Sequence, residues 1–262
     1  MHAVECSHHI VGSGPVLYLV HGIGARKSVW NDIVDGLKEF FTCVIYDLRG
    51  HGGSPVAEVP YSLDELVADL ESLRQKLGHR QIHIAGHSLG GMIGPAYALA
   101  YPEKVLSLSL LSTAAGRSEQ DRTKLKVVGQ SMQEKGVLPV LSTFVERWYT
   151  EEFIQTHPKR ILARLKQVEQ TPEAVFLSVF QIYATTEMAP WLHEIKCPCL
   201  VLTGELDAAC NPRLNRFIDS ELQNSKLVIL EGLKHSILME APQRVLKPLL
   251  KFLLQVNNSL SN

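Results

Sequence analysis

Six short apolar runs are separated by longer segments in which apolar and polar residues mix. Each run has five to seven residues and is closely flanked by Gly, Pro, Asp or Asn. This pattern is typical of strands that are buried on both faces of a parallel sheet. The predicted strands are residues 16–20, 42–46, 81–85, 105–111, 199–203 and 226–230. Residues 3–6 and 8–11 predict an additional antiparallel hairpin at the sheet edge.

The segment Ser62–Leu77 shows the pattern of an amphipathic helix. Leucines recur at steps of three and four residues, and acidic and basic residues fill the positions between them. Ser62 and Glu65 have the spacing of a capping box, and Gly78 is a typical helix terminator. Because such segments alternate with the apolar runs, the sequence predicts a mostly parallel, doubly wound α/β sheet with helices on both faces.

Residues 117–189 depart from this alternation. They contain no clear parallel strand, and their periodicity predicts helices over residues 122–135, 137–148, 158–170 and 172–183. We expect them to form a helical cap over the carboxyl edge of the sheet, with residues 1–116 and 190–262 as the α/β core. The polar tail, residues 256–262, is expected to fray.

Composition excludes several classes of function. The chain has 262 residues, of which 45% are hydrophobic and 20% charged, and its formal net charge is −1. This near-neutral balance, with no basic run, does not favour nucleic-acid binding. No apolar stretch has the length of a membrane span, and the N-terminus lacks the pattern of a signal peptide. The five cysteines show no zinc or disulfide spacing, so we expect free thiols and a cytoplasmic location.

Residues 86–90 read Gly-His-Ser-Leu-Gly and follow a predicted strand. This is the pattern of a nucleophile elbow, in which a sharp turn from strand to helix exposes a serine hydroxyl. Ser88 is therefore the candidate nucleophile. The backbone N–H of Leu89 would then point at a developing oxyanion. A glycine-rich connection with an inert serine is the alternative that the pentapeptide alone leaves open.

A serine nucleophile needs a base and a group that orients the base. Asp207 and His235 each follow a predicted strand. With Ser88 they give the chain order Ser, Asp, His that is expected when a nucleophile elbow lies in an α/β sheet. Both should therefore lie at the same sheet edge as Ser88. Glu205, two residues before Asp207, is an alternative acid.

A second oxyanion donor is predicted in the loop after the first long strand. This loop reads His21-Gly22-Ile23-Gly24, and its glycines permit close approach to the nucleophile. The N–H of Ile23 is the candidate partner of the Leu89 N–H. We expect no metal, because the histidines lack ligand spacing on one helix face.

The chain resembles the α/β-hydrolase superfamily over its whole length. Within it, the sequence is most similar to the 3-oxoadipate enol-lactonase group and related esterases. The matching segments are residues 47–54, 61–63, 86–93, 112–115 and 146–153. The resemblance implies a mechanism without a cofactor, in which Ser88 is the nucleophile, His235 the general base and acid, and Asp207 the orienting carboxylate.

The resemblance also implies a small ester or lactone substrate that carries a carboxylate, for which the pocket should offer a cation. Arg26, Arg147 and Arg117 are the candidates, and Trp148 is expected to line the pocket. The alternatives are a carbon–carbon bond hydrolase, a cofactor-free perhydrolase with the same triad, and a ligand-binding protein that retains the fold. The sequence indicates no oligomeric state.

Overall fold

A computed structural model describes residues 3–260 and shows, within them, a seven-stranded sheet flanked by helices. The strands are β1 His8–Val11, β2 Val16–Val20, β3 Thr42–Tyr46, β4 Ile82–His87, β5 Val105–Leu111, β6 Cys199–Gly204 and β7 Ser225–Leu230. Their spatial order is β1-β3-β2-β4-β5-β6-β7. All pairs are parallel except β1 with β3. The six predicted parallel strands are therefore confirmed, with small shifts at their ends.

The predicted N-terminal hairpin is wrong. Strand β1 pairs antiparallel with β3, and residues 3–6 form no strand. Side chains satisfy this backbone instead: the Val4 N–H donates to Asp69 Oδ1 at 2.8 Å, and the Ser7 N–H donates to Ser54 Oγ at 2.9 Å. Backbone donors that are paired in this way have no need of a neighbouring strand.

Helices cover both faces of the sheet. Within the described range they are α1 Asn31–Leu37, α2 Leu63–Lys76, α3 Gly90–Ala100, α4 Glu119–Lys135, α5 Val137–Ser142, α6 Val145–Trp148, α7 Glu151–Thr156, α8 Pro158–Glu169, α9 Glu173–Thr185, α10 Pro212–Glu221, α11 Ile237–Glu240 and α12 Pro242–Leu260. Alternate residues of β2 point to opposite sides. Tyr18 and Val20 join a core with α2, α3 and α10, whereas Leu17 and Leu19 join a core with α1 and α12. The doubly wound architecture is thus confirmed.

Local signals set the start of α2. The Ser62 side chain accepts from the Glu65 N–H, and the Glu65 side chain accepts from the Ser62 N–H, which is the predicted capping box. A buried ion pair then ties α2 to the loop after β3. Arg49 Nε lies 2.7 Å from Asp69 Oδ2, and Arg49 Nη2 lies 2.8 Å from Asp69 Oδ1.

Helices α4–α9 lie between β5 and β6 and form the helical insertion. Helix α4 begins at Glu119, earlier than predicted, because Ser118 caps it. The single helix predicted over residues 137–148 is two helices, α5 and α6, and α7 was not predicted. At the other end of the chain, α12 continues to Leu260 and buries Val256, so the expected fraying is wrong there. Residues 261–262 of the predicted tail lie outside the described residues.

All five cysteines are free thiols. Among the described helices, none is long and apolar enough to cross a membrane.

Candidate active site

Ser88 lies on the sharp turn between β4 and α3. Its φ is +56°, a left-handed conformation that a residue with a side chain adopts only under constraint. The turn is held because the Ser88 N–H donates to the Leu111 carbonyl at 2.9 Å, and the Thr113 hydroxyl donates to the Ser88 carbonyl at 2.9 Å. A Cβ on Gly90 would lie 2.2 Å from the carbonyl oxygen of Val20, so only glycine fits there. The elbow geometry expected from the pentapeptide is present.

His235 and Asp207 meet at the carboxyl edge of the sheet. His235 Nδ1 lies 2.8 Å from Asp207 Oδ2. The other oxygen, Asp207 Oδ1, accepts the N–H groups of Ala209 and Cys210 at 2.9 and 2.8 Å. Asp207 is buried, and these three partners fix its orientation. His235 therefore keeps its proton on Nδ1 and leaves Nε2 as an acceptor.

The electrostatics of this pair favour an ionised aspartate. Burial opposes charge on Asp207, but His235 and the two backbone N–H groups outweigh it and lower the carboxyl pKa. Burial likewise opposes charge on His235, but the Asp207 carboxylate outweighs it and raises the imidazole pKa well above its ordinary value. A histidinium formed by proton transfer would thus be stabilised in place.

His87 supports the histidine from the elbow side, a contact that sequence reasoning missed. Its Nε2 donates to the His235 carbonyl at 3.1 Å, and the two rings lie 5.1 Å apart. Burial, reinforced by His235, lowers the His87 pKa to about 3, so the ring stays neutral. The motif places a histidine before Ser88, but no local pattern reveals its partner 148 residues away.

The loop of the second predicted oxyanion donor lies against the serine. A Cβ on Gly22 would be 3.0 Å from Ser88 Cβ and 3.5 Å from Ser88 Oγ. Within residues 3–260, the backbone N–H groups of Ile23 and Leu89 donate to no protein acceptor. Two free N–H groups near a serine hydroxyl are what an oxyanion hole requires.

A cavity of about 300 Å³ is bordered by both Ser88 and His235. Helices of the insertion supply much of its wall, including the predicted residues Trp148 and Arg147. Ile23 also lines it. Arg26 is not brought into this lining: its Nη2 donates to Gln170 Oε1 at 2.5 Å.

The insertion is tied directly to the loop that carries His235. The Ser236 N–H donates to the Trp148 carbonyl at 3.0 Å. The Thr150 hydroxyl donates to Glu240 Oε2 at 2.6 Å, and the Thr150 N–H donates to the same oxygen at 2.9 Å. These bonds fix the backbone of Trp148 next to the loop of His235, and both residues line the same cavity.

Arg117 is the most buried of the arginines considered as anion receptors. It lines the cavity and is 5% exposed, and its guanidinium lies over the Tyr183 ring at 4.6 Å. Nη1 donates to the Thr186 carbonyl at 2.8 Å, whereas Nη2 is buried and has no partner among the described residues. Arg147 is exposed. The cavity lining includes the cationic Arg117, Lys124, Arg147 and Arg164 and the carboxylate of Asp121, which is paired with Arg213, so the wall is electropositive.

Glu205, the alternative acid, is exposed and accepts the Gly232 N–H at 2.9 Å.

Asp207, Cys210 and His235 are residue types that bind zinc, and their ligand atoms lie within 4.8 Å of one another. Tetrahedral zinc at its usual bond lengths holds such N and O ligands about 3.3 Å apart. His235 Nδ1 and Asp207 Oδ2 are closer than this, at 2.8 Å, which is the distance of a hydrogen bond between them.

The comparisons with known proteins agree with this architecture. A family model described as alpha/beta hydrolase fold matches residues 15–242. The chain therefore belongs to the α/β-hydrolase family.

Two curated relatives extend the comparison. 3-Oxoadipate enol-lactonase 2 of Acinetobacter baylyi is 28% identical over 229 residues, which are 87% of this chain and 85% of that protein. Monoacylglycerol lipase ABHD6 of Mus musculus is 28% identical over 269 residues, which are 95% and 78% of the two chains. Hydrolase activity on esters follows at the level of the family.

Solved structures show the same fold. A thermophilic esterase from Thermogutta terrifontis, described as malate bound, superposes with a TM-score of 0.87 at 25% identity and covers 97% of this chain and 94% of its own. The enol-lactonase from Burkholderia xenovorans LB400 superposes with a TM-score of 0.89 at 24% identity, covering 95% and 96%.

Proposed function

We propose that this protein hydrolyses a small carboxylic ester or lactone through an acyl-enzyme. The observation that carries the proposal is the 2.8 Å hydrogen bond between His235 Nδ1 and Asp207 Oδ2, beside the same cavity as Ser88 on its strained turn. Ser88 acts as nucleophile, His235 as general base and acid, and Asp207 as the carboxylate that orients the imidazole.

The reaction has two halves. Ser88 Oγ attacks the substrate carbonyl while His235 Nε2 takes the hydroxyl proton, and the tetrahedral oxyanion accepts from the N–H groups of Ile23 and Leu89. The tetrahedral intermediate then collapses, and the imidazolium protonates the departing alkoxide. The acyl group remains bound to Ser88 Oγ as an ester. Water attacks this ester as His235 again removes a proton, and collapse releases the acid and returns the proton to Ser88.

We further propose that the substrate carries a carboxylate, received by Arg117. The support is the Arg117 guanidinium, which lines the cavity together with the cationic Lys124, Arg147 and Arg164. A carboxylate that accepts from it would complete the hydrogen bonding of a buried cation. The Thermogutta terrifontis esterase is described as malate bound, and malate is a dicarboxylate. The Acinetobacter baylyi relative is a 3-oxoadipate enol-lactonase.

In this proposal residues 117–189 are a cap that closes the site, and residues 1–116 and 190–262 are the catalytic core. The contacts of Trp148 and Thr150 with residues 236–240 support such a division of labour. A cytoplasmic location remains a prediction from the unpaired cysteines.

Turnover of a substrate panel by wild type and Ser88→Ala tests the mechanism. The panel contains 3-oxoadipate enol-lactone, a neutral lactone and short p-nitrophenyl esters. We expect hydrolysis by wild type, and a loss of at least about 10³-fold in kcat for Ser88→Ala with unchanged thermal unfolding. Substantial turnover by that variant would remove Ser88 from its role. Absence of turnover by wild type would favour carbon–carbon hydrolysis or ligand binding.

A matched pair of esters tests the anion site. Mono-p-nitrophenyl glutarate and p-nitrophenyl pentanoate have acyl chains of equal length and differ in the terminal carboxylate. Loss of one charged hydrogen bond corresponds to about ten- to hundredfold in kcat/KM. We expect Arg117→Met to lose that factor on the anionic ester and to leave the neutral ester unchanged. Arg147→Met is the control, and equal losses on both esters would contradict the assignment.

A further inference from the structure

Helix α8 of the insertion brings Arg164 into contact with residues 21–24, the loop that carries the proposed oxyanion donor Ile23 and is called the oxyanion loop below. Arg164 Nη2 donates to the Ile23 carbonyl at 2.9 Å, and Nη1 donates to the Gly24 carbonyl. One guanidinium thus holds two consecutive peptide groups. The fork of an arginine suits such a task, because its donors are fixed relative to one another.

These carbonyls are the principal compensation for the Arg164 charge. Arg164 is half-buried and lines the same cavity as Ser88. Among residues 3–260 it forms no ion pair with a carboxylate. Burial and the neighbouring Arg26 lower its pKa, and the Tyr149 phenol opposes them. A cation in such surroundings needs its backbone acceptors, so the loop carbonyls are held strongly.

Two histidines of the core hold the same loop. His51 Nε2 accepts the Gly24 N–H at 3.1 Å, and His21 Nδ1 donates to the Gly22 carbonyl at 2.7 Å. Burial lowers the pKa of His51 to about 4 and that of His21 to about 3, so both rings stay neutral in these roles. The loop is therefore clamped between two histidines of the core and one arginine of the insertion.

Packing adds to the clamp at Gly24. Its φ is +60°, and a Cβ there would lie 2.7 Å from the Phe176 ring on α9 and 3.3 Å from Val168 on α8. The insertion therefore touches the loop backbone itself, in addition to covering the cavity.

We propose that Arg164 is a positioning residue that aligns the Ile23 N–H with the developing oxyanion. The oxyanion hole is then complete only while α8 packs against the oxyanion loop. This inference rests on the proposed function. Ile23 donates through its N–H, and Arg164 holds the carbonyl at the other end of the same residue. Together with the bond to Gly24, this restrains the rotations that would swing the Ile23 N–H away from Ser88.

The expected signature is a loss of kcat with little change in KM. Oxyanion contacts strengthen in the transition state, so a misaligned donor costs turnover more than binding. Loss of one oxyanion donor lowers kcat by about 10²–10³-fold. We expect Arg164→Met to lower kcat on a neutral p-nitrophenyl ester by up to that factor, with KM within about threefold.

Arg160→Met is the matched control. Arg160 lies one turn earlier on α8, is exposed, and pairs with Asp32 at 2.9 Å. It should retain wild-type kcat. A boronic acid that adds to Ser88 and mimics the tetrahedral intermediate gives a second reading: its Ki should rise in Arg164→Met by the same factor by which kcat/KM falls. A purely structural role would not produce that proportion.

Chemical rescue of Arg164→Ala distinguishes the loss of the guanidinium from a loss of folding. Added methylguanidinium should restore part of the turnover of Arg164→Ala, and methylammonium should not. If Arg164→Met unfolds at the assay temperature, Arg164→Lys carries the test with the same expected split between kcat and KM.

Equal kcat for Arg164→Met and Arg160→Met would overturn the inference, as would a KM increase confined to anionic esters, which would make Arg164 a substrate receptor. Inactivity of wild type on every ester would instead defeat the proposed function.

Discussion

Asp207 presents its two oxygens to different donors, and this asymmetry determines what Asp207→Asn should do. Oδ1 accepts two backbone N–H groups, at 2.9 and 2.8 Å, and Oδ2 accepts from His235 Nδ1 at 2.8 Å. An asparagine has one acceptor and one donor end. With its oxygen toward the two N–H groups, its NH₂ faces the imidazole. His235 must then accept at Nδ1 and carry its proton on Nε2, toward Ser88.

The reverse orientation of the amide is costly. It would leave the N–H groups of Ala209 and Cys210 facing an NH₂, and the buried Cys210 N–H alone would cost about 1–3 kcal/mol as an unsatisfied donor. The wrong tautomer is therefore imposed. In serine proteases with this triad the same substitution lowers kcat by about 10⁴-fold, which corresponds to about 5.4 kcal/mol of activation free energy. We expect a kcat loss of about that size here, with the thermal unfolding midpoint close to that of wild type.

Steady-state hydrolysis of a p-nitrophenyl ester at pH 8 provides the assay, and Glu205→Gln is the matched control. Glu205 is an exposed carboxylate two residues away, and within residues 3–260 its side chain accepts only the Gly232 N–H. It should retain wild-type turnover. A loss of less than tenfold in Asp207→Asn, together with a large loss in Glu205→Gln, would refute the reasoning and transfer the orienting role to Glu205.

Three further predictions concern pH and stability. In the proposed mechanism the neutral imidazole of His235 is the base, so kcat/KM should rise with pH through its pKa. Because the paired aspartate raises that pKa above the ordinary 6.5, a midpoint at or below pH 6.5 in a pH–rate profile would contradict the pairing. Asp69→Ala leaves the buried Arg49 with one carboxylate fewer and should lower the free energy of unfolding by about 3 kcal/mol in urea denaturation. Gly90→Ala forces a Cβ to 2.2 Å from the Val20 carbonyl and should cost at least about 2 kcal/mol by the same measurement; a neutral effect would show that the elbow relaxes.

Much of the fold follows from local sequence. The parallel strands are continuous apolar runs, and α2 has its own capping box. Each of these elements can therefore be predicted from a short stretch of sequence. The elbow motif is local in the same sense, because Ser88 and the flanking Gly86 and Gly90 lie within five residues, although the hydrogen bonds that hold the turn come from Leu111 and Thr113. Asp207 and His235 could be paired in advance because both follow strands whose carboxyl ends meet at one edge.

The rest depends on contacts distant in sequence. Strand β1 finds its partner in β3, and no turn signal announces that pairing. Helix α7 is capped by Thr150, whose hydroxyl is also committed to Glu240, 90 residues away. The arginines were hardest to separate. The sequence does not distinguish Arg26, Arg117 and Arg147, because only the packing of the insertion buries Arg117, exposes Arg147 and leaves Arg26 out of the cavity lining.

The hydrogen bond from the Ser236 N–H to the Trp148 carbonyl, at 3.0 Å, has a consequence for how such enzymes diversify. A recombination event that exchanged residues 117–189 alone would leave Glu240 without Thr150, and the Ser236 N–H would keep an acceptor only if the new insertion placed a backbone carbonyl at the same point. We expect the imidazole of His235 to be displaced in such a chimaera. If the insertion closes the site as proposed, we expect it and residues 235–240 to behave as one unit, which has to be exchanged together for a chimaera to turn over.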